Sequence, residues 1–162
     1  DIVVMVQGDE PMVVPEMIGE AISPLLQDDS MQVVNLMSKM DSVAEFEDPN
    51  EVKVVVNHES NAMYFSREPI PSRKKGVKNV PMLKQVCIIP FRREYLLHFN
   101  AMQETELERI ESVDMMRIIE SGGTVRMVMT EHDSFSVDTQ EDLQNVERHM
   151  AEDVLMGSYS AA

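Results

Sequence analysis

Two stretches of this 162-residue chain place an aspartate just beyond an apolar run. In Val6-Gln7-Gly8-Asp9-Glu10-Pro11, Asp9 follows Ile2-Val3-Val4-Met5. In Val137-Asp138-Thr139-Gln140-Glu141-Asp142-Leu143, Asp138 follows the run Val125 to Met129 and a short crossing segment. Continuous apolar, β-branched runs read as buried strands. Open α/β sheets bind their ligands outside the carboxyl ends of the strands. Asp9 and Asp138 are therefore candidates for one site, although they lie far apart in sequence. Each also has a structural reading. Gly8, Asp9 and Pro11 are turn formers. Thr139 to Asp142 reads as a capping box, with Thr139 as N-cap and Asp142 reaching back. Asp138 then stands one residue outside the helix and is free for another duty.

Other chemistries lack their residues. Cys87 is followed by Ile88-Ile89 within an apolar strand and reads as a packed thiol rather than a nucleophile. His58, His98, His132 and His149 are scattered, without metal-ligand spacing. No phosphate-binding glycine loop, GxGxxG or HExxH occurs.

The elements that must position the two aspartates alternate along the chain. Strands are expected at Ile2 to Val6, Gln32 to Met37, Val52 to Asn57, Ala62 to Ser66, Val86 to Ile89 and Val125 to Met129. The third and fourth form a hairpin over the polar turn His58 to Asn61. Pro15 suits a helix start, and Met17, Ile18, Ala21, Ile22 and Leu25 give that helix an apolar face. Pro24 should kink or end it. Further helices are expected at Arg92 to Phe99, Glu106 to Ser121 and Thr139 to Met150. The second of these carries Leu107, Ile110, Val113, Met116 and Ile119 at helical spacing. Residues 67 to 82 read as a mobile basic loop around Arg73-Lys74-Lys75, and Gly157 to Ala162 as a frayed tail. The alternation indicates an open α/β sheet with at least some parallel strands.

Composition bounds the partners. Asp plus Glu number 29 against 14 Lys plus Arg, a formal charge of −15. Nonspecific nucleic-acid binding is disfavoured, since no cation excess exists to displace counterions. No apolar run approaches the roughly 18 residues of a membrane span. One cysteine excludes an internal disulfide and fits a reducing, cytoplasmic setting. Fifteen methionines read as core gap-fillers. The strand-like run directly after Asp1 reads as the start of a piece excised from a longer protein.

The blocks together resemble one family. Val6 to Pro11 resembles the VQGDEP motif of the 3-deoxy-manno-octulosonate cytidylyltransferases (CMP-Kdo synthetases). Val137 to Leu143 resembles their VDTPEDL motif. Asn50-Glu51-Val52-Lys53-Val54-Val55 is similar to their NPNVVKVV segment. Ala62 to Arg67, with Ile70-Pro71 following, is similar to ALYFSR. Leu107-Glu108 and Glu111 match an LE..E pattern. The order and spacing agree over nearly the whole chain.

The resemblance implies a single cytidylyltransferase-like domain over residues 1–162, incomplete at its N-terminus. Its fold would be an open, mixed, mostly parallel sheet of the nucleotide-sugar transferase (Rossmann-like) type, with a dimerisation hairpin. It implies transfer of CMP from CTP to the anomeric hydroxyl of a sugar acid, with loss of pyrophosphate, in cytoplasmic lipopolysaccharide biosynthesis. Asp9 and Asp138 would be catalytic and hold Mg²⁺, a cation that takes a few carboxylate oxygens together with phosphate oxygens and water. Gly8 would let the backbone approach the nucleotide. Gln7, Arg67, Gln85 and Glu111 would bind substrate, Arg67 through a bidentate fork. The partners implied are CTP, a sugar acid and a second copy of the chain, with no nucleic acid or membrane.

Two departures qualify the resemblance. The family's PAR..S.R.PGKPL loop, which cradles the CTP triphosphate, does not occur in this sequence, so the chain as given is expected to be inactive alone. The family's RH.GIY strand reads Lys84 to Ile89, with Gln85 for its histidine and Ile89 for its tyrosine. Its LEQLR helix reads Val113 to Arg117, with Asp114-Met115 for Glu-Gln. Lost hydrogen bonds, each worth about 0.5–1.5 kcal/mol, point to a modified or different sugar acid. Two alternatives stay open: an acylneuraminate cytidylyltransferase, or a noncatalytic interaction and dimerisation domain of the same fold.

Overall fold

The computed structural model describes residues 1–77, 79–153 and 155. The expected tail from Gly157 to Ala162 lies outside these residues. In chain order the elements are β1 (Ile2–Val6), α1 (Pro15–Gln27), β2 (Val34–Lys39), α2 (Val43–Glu47), β3 (Lys53–Val56), β4 (Ala62–Ser66) and β5 (Leu83–Val86). There follow β6 (Ile88–Arg92), α3 (Arg93–Ala101), α4 (Glu106–Glu111), α5 (Met115–Glu120), β7 (Arg126–Met129) and α6 (Gln140–Glu152). No helix among the described residues is long and apolar enough to cross a membrane.

A five-stranded sheet runs β4-β3-β5-β2-β7, and β1 pairs with β6 in a second, two-stranded sheet. The sheet is mixed and the class α/β, as expected. The expectation of mostly parallel strands is corrected. Only β2 and β7 pair in parallel, Val34 opposite Arg126, while the other named pairs are antiparallel. Tight links such as the turn after β3 can join only antiparallel neighbours, whereas β2 and β7 are separated by the long crossover that parallel pairing needs. β2 lies between β5 and β7, and all its residues but Lys39 are buried.

β1 was expected to be buried. It pairs on one side only, and Val3 and Val6 are exposed. α1 packs Met17 and Ala21 against Leu36, Val86 and Ile88. It continues past Pro24 to Gln27, because Leu25, four residues on from Ala21, is buried on the same face. The larger core joins Phe65, Ile89, Phe91, Met116, Ile118 and Met127 from the strands and α5.

Two breaks were not expected. The run Val86 to Ile89 is not one strand. The chain leaves β2 after Val86 and joins β1 at Ile88, so Cys87 stands between partners. The expected helix Glu106 to Ser121 is also two. Ser112 adopts φ 54° and ψ 47°, uncommon for a residue with a side chain. The break turns Val113, Met115, Met116 and Ile118 inward and leaves Ile110 exposed. Residues 67 to 82 contain no helix or strand among those described.

Candidate active site

The cleft forms where β1, β5 and α4 end, beside the segment Ser134 to Asp138. Gln7, Asp9, Arg67, Gln85 and Asp138 line it together, in a volume of about 540 Å³. Sequence reasoning had named all five. Glu51, Glu104, Glu108 and Asp114 make the rest of the wall mostly acidic, with Arg109 among them. Asp138 also faces an adjoining cleft of about 430 Å³ with Asp41, Glu45 and Asp142. The segment Ser134 to Asp138 thus stands between two polar spaces.

The two aspartate segments are joined directly. Val137 N donates to Asp9 O at 2.9 Å. At the other end, Asp142 accepts from Thr139 N at 2.7 Å and Thr139 Oγ1 accepts from Asp142 N, closing the expected capping box. Asp142 also accepts from Asp138 N. The cap uses only the Asp138 backbone. Asp9 and Asp138 are both exposed, and neither carboxylate has a hydrogen bond or ion pair among the described residues.

Glu10 behaves differently. It is 7% exposed, accepts from Cys87 N and Ser134 Oγ, and burial raises its carboxyl above the usual range, against the pull of those hydrogen bonds. Burial, then the nearby Glu10 and Asp9 charges, push the Cys87 thiol far up, which fits a packed thiol and not a nucleophile. Asp114 is likewise raised, by burial first.

Arg67 does not present the open fork expected of it. Its Nε donates to Glu111 O at 2.8 Å, and its terminal nitrogens donate to Pro49 O at 3.0 Å and Ser112 O at 3.3 Å. Helix-end carbonyls lack intrahelical partners, and the break at Ser112 supplies them to Arg67. Its positive charge still reaches the cleft. Glu111 does not line the cleft. Its carboxylate accepts from Tyr64 OH, Ser66 Oγ and Arg67 N, so it holds β4 to α4. Gly8 is outside the lining, and a Cβ there would meet nothing within 4 Å, so the fold itself does not require glycine. Gln85 is buried and donates from Nε2 to Asn35 Oδ1 at 2.6 Å. Ile89 and Met115 are fully buried core residues outside the cleft.

The sequence pattern of the family described as cytidylyltransferase matches residues 1–144. This chain belongs to the cytidylyltransferase family. It is 41% identical over 153 residues to the 3-deoxy-manno-octulosonate cytidylyltransferase of Pelobacter propionicus, covering 88% of this chain and 60% of the relative. It is 37% identical over 157 residues to the enzyme of the same name from Solibacter usitatus, covering 97% and 62%. A solved CMP:2-keto-3-deoxy-manno-octonic acid synthetase, complexed with CTP, superposes with a TM-score of 0.85 at 33% identity, over 94% of this chain and 62% of that one. The chain therefore spans about 60% of the length of the curated relatives it matches.

Around this cleft, sequence reasoning passed over three supports. Lys53, 0% exposed, donates to the carbonyls of Asp48, Glu51 and Arg67, tying the cleft wall to β4. A lysine inside an apolar strand was its signal. Lys84 bridges Glu45 at 2.9 Å and Glu51 at 3.2 Å. Burial pulls Lys84 down, but the two carboxylates outweigh it and keep the ammonium charged. Glu10 is the third, and its place in the quoted motif was its signal.

Proposed function

We propose that this chain carries the part of a cytidylyltransferase site that meets the metal and the sugar acid. The whole enzyme transfers CMP from CTP to the anomeric hydroxyl of 3-deoxy-manno-octulosonate or a close relative and releases pyrophosphate. One observation carries the reading: Asp9 and Asp138 open on the same cleft, their carboxylates without partners among the described residues, with their segments bonded together. A carboxylate left unpaired by the fold is available to a ligand.

The donor set fits Mg²⁺. The ion is ordinarily held by one or two carboxylates plus substrate phosphates and water. Among the described residues no group of three or more His, Cys, Asp or Glu forms a closed cage. Asp9 and Asp138 would hold the ion, which when bound neutralises phosphate charge and orients the reacting oxygens. Arg67, with Arg109 also in the lining, offers positive charge to an anionic substrate in a mostly acidic cleft. Gln7 and Gln85 offer amide groups to hydroxyls. Asn35 takes one Gln85 donor and so fixes how that amide faces the cleft.

The names of the relatives favour an octulosonate over an acylneuraminate, and an enzyme over a noncatalytic domain. Ile89 and Met115 lie in the core, so their apolar character gives no reason to look for a different acid. A homodimer and a cytoplasmic setting belong to the same proposal. The half-buried, unpaired Cys87 fits a reducing compartment, and Met63, exposed on β4, offers apolar contact.

The test is pyrophosphate release by the product of the complete gene, given CTP and Mg²⁺ with either 3-deoxy-manno-octulosonate or N-acetylneuraminate. Turnover with the first acid is expected. Turnover with N-acetylneuraminate alone, or with neither, refutes the assignment.

A further inference from the structure

Glu10 is a buried carboxylate that the chemistry above does not use. It sits in a turn closed by Glu10 N donating to Gln7 O at 3.3 Å. Its Oε1 accepts from Cys87 N at 3.3 Å and its Oε2 from Ser134 Oγ at 3.2 Å. Gln7 N donates to Cys87 O, also at 3.3 Å. The Cys87 peptide is therefore gripped on both its groups by the Gln7 to Glu10 turn. Cys87 is the residue at which the chain passes from the five-stranded sheet to the β1–β6 pair. Ser134 belongs to the segment that carries Asp138. One side chain thus bonds the turn of Asp9, the junction of the two sheets and the approach to Asp138.

From this geometry we infer that Glu10 is a positioning residue: it fixes Asp9 relative to Asp138 by gripping the Cys87 amide and the Ser134 hydroxyl. A carboxylate suits the task because both partners donate, and an ionised carboxyl only accepts. The Val137 to Asp9 backbone bond runs beside the clamp, and among the described residues nothing else in the Asp9 turn is bonded to Ser134. The consequence for a bound ion rests on the reading of Asp9 and Asp138 as its holders. The clamp itself does not.

The test uses this chain with Glu10→Ala, Glu10→Gln and Ser134→Ala, and two readouts. The first is amide hydrogen exchange without metal at Cys87 and Val137, with Leu36 in β2 as the reference for the intact fold. The second is affinity for Mn²⁺ alone, followed by its electron spin resonance. Exchange at Cys87 in Glu10→Ala, and at Val137 in Glu10→Ala and Ser134→Ala, is expected to rise at least tenfold with Leu36 unchanged. Mn²⁺ affinity is expected to fall by about tenfold or more, as for groups that orient metal ligands. Glu10→Gln can still accept from Cys87 N and meet Ser134 with its amide, so it is expected to stay within about threefold of the parent in both readouts. Unchanged exchange in Glu10→Ala and Ser134→Ala overturns the inference. So does a Glu10→Gln variant as impaired as Glu10→Ala with Leu36 protected, since the charge itself would then be needed. If Glu10→Ala unfolds and exposes Leu36, Ser134→Ala and Glu10→Gln decide by the same criteria. A parent chain that binds no Mn²⁺ while exchange follows the expected pattern refutes the metal reading and upholds the clamp.

Discussion

Glu111 and Arg67 hold each other at both ends: the Glu111 carboxylate accepts from Arg67 N at 2.9 Å, and Glu111 O accepts from Arg67 Nε at 2.8 Å. This reciprocal pair fastens the end of β4 to the end of α4, and so sets where the Arg67 charge stands in the cleft. Tyr64 OH and Ser66 Oγ donate to the same carboxylate. Glu111→Ala leaves these donors without their acceptor and is expected to cost about 1–3 kcal/mol. Urea denaturation measures it. Glu111→Gln retains one acceptor oxygen and should cost less. A Glu111→Ala chain as stable as the parent would show that water replaces the carboxylate freely.

Asp9 and Asp138 should separate activity from stability. Both are exposed and unpaired among the described residues, so Asp9→Asn and Asp138→Asn should change stability by no more than about 0.5 kcal/mol. Each should lower pyrophosphate release by the complete gene product at least about a hundredfold, since even groups behind metal ligands matter by 10- to 100-fold. Retained turnover in either variant removes that residue from the ion site.

The Glu108–Arg117 pair gives the fold an acid-sensitive joint. Arg117 Nε donates to Glu108 Oε2 at 2.8 Å, a terminal Arg117 nitrogen meets Oε1 at 2.5 Å, and the guanidinium lies 4.5 Å from the Phe99 ring centre. The Arg117 hydrogen bonds hold the Glu108 carboxyl below its ordinary value, outweighing burial. A depressed carboxyl contributes stability above its unfolded pKa of about 4.3. That contribution is lost as pH falls through the lower folded value. Glu108→Gln should cost about 1.5–3 kcal/mol at pH 7, and the gap to the parent should close between roughly pH 4 and 2. Denaturation curves at pH 7, 4 and 3 would show it, and a gap independent of pH would assign the loss to shape rather than charge.

The parts of the site that were legible in sequence are those fixed by neighbours in the chain. β4 begins at Ala62 and ends at Ser66 because a polar turn precedes it and a proline-rich stretch follows. Thr139 and Asp142 close their cap within one helical turn. What escaped reading is fixed from afar. Val86 to Ile89 looks like one strand because nothing local marks Cys87, and the partner switch there is set by Gln7 and Glu10, 77 positions earlier in the case of Glu10. Helical spacing runs unbroken through Ile110 and Val113, yet only Val113 is buried, since carbonyls freed at Ser112 find Arg67 across 45 positions. Strand direction was misjudged for a similar reason, as apolar runs do not state which neighbour they pair with.

Self-association should use side chains and not strand addition. The hairpin that the resemblance implies for dimerisation has amides of its outer edge already bonded within the chain. Phe65 N donates to Met116 Sδ and Arg67 N to Glu111. At the tip, Ala62 N donates to Val125 O and Met127 N to Ser60 O, so the hairpin is bonded to its own β7. Amides already bonded within the chain are not open to template another strand. Met63 is the residue of β4 left outward, 58% exposed. The proposed homodimer should therefore meet through an apolar face around Met63, with the same patch on both copies, and a stable contact should bury at least about 1,000 Å² in total. Sedimentation at micromolar concentration should show a dimer for the complete gene product, and Met63→Asp should shift it toward monomer without loss of thermal stability. A single monomer boundary over the whole range excludes the dimer. A dimer indifferent to Met63→Asp places the contact elsewhere on the molecule.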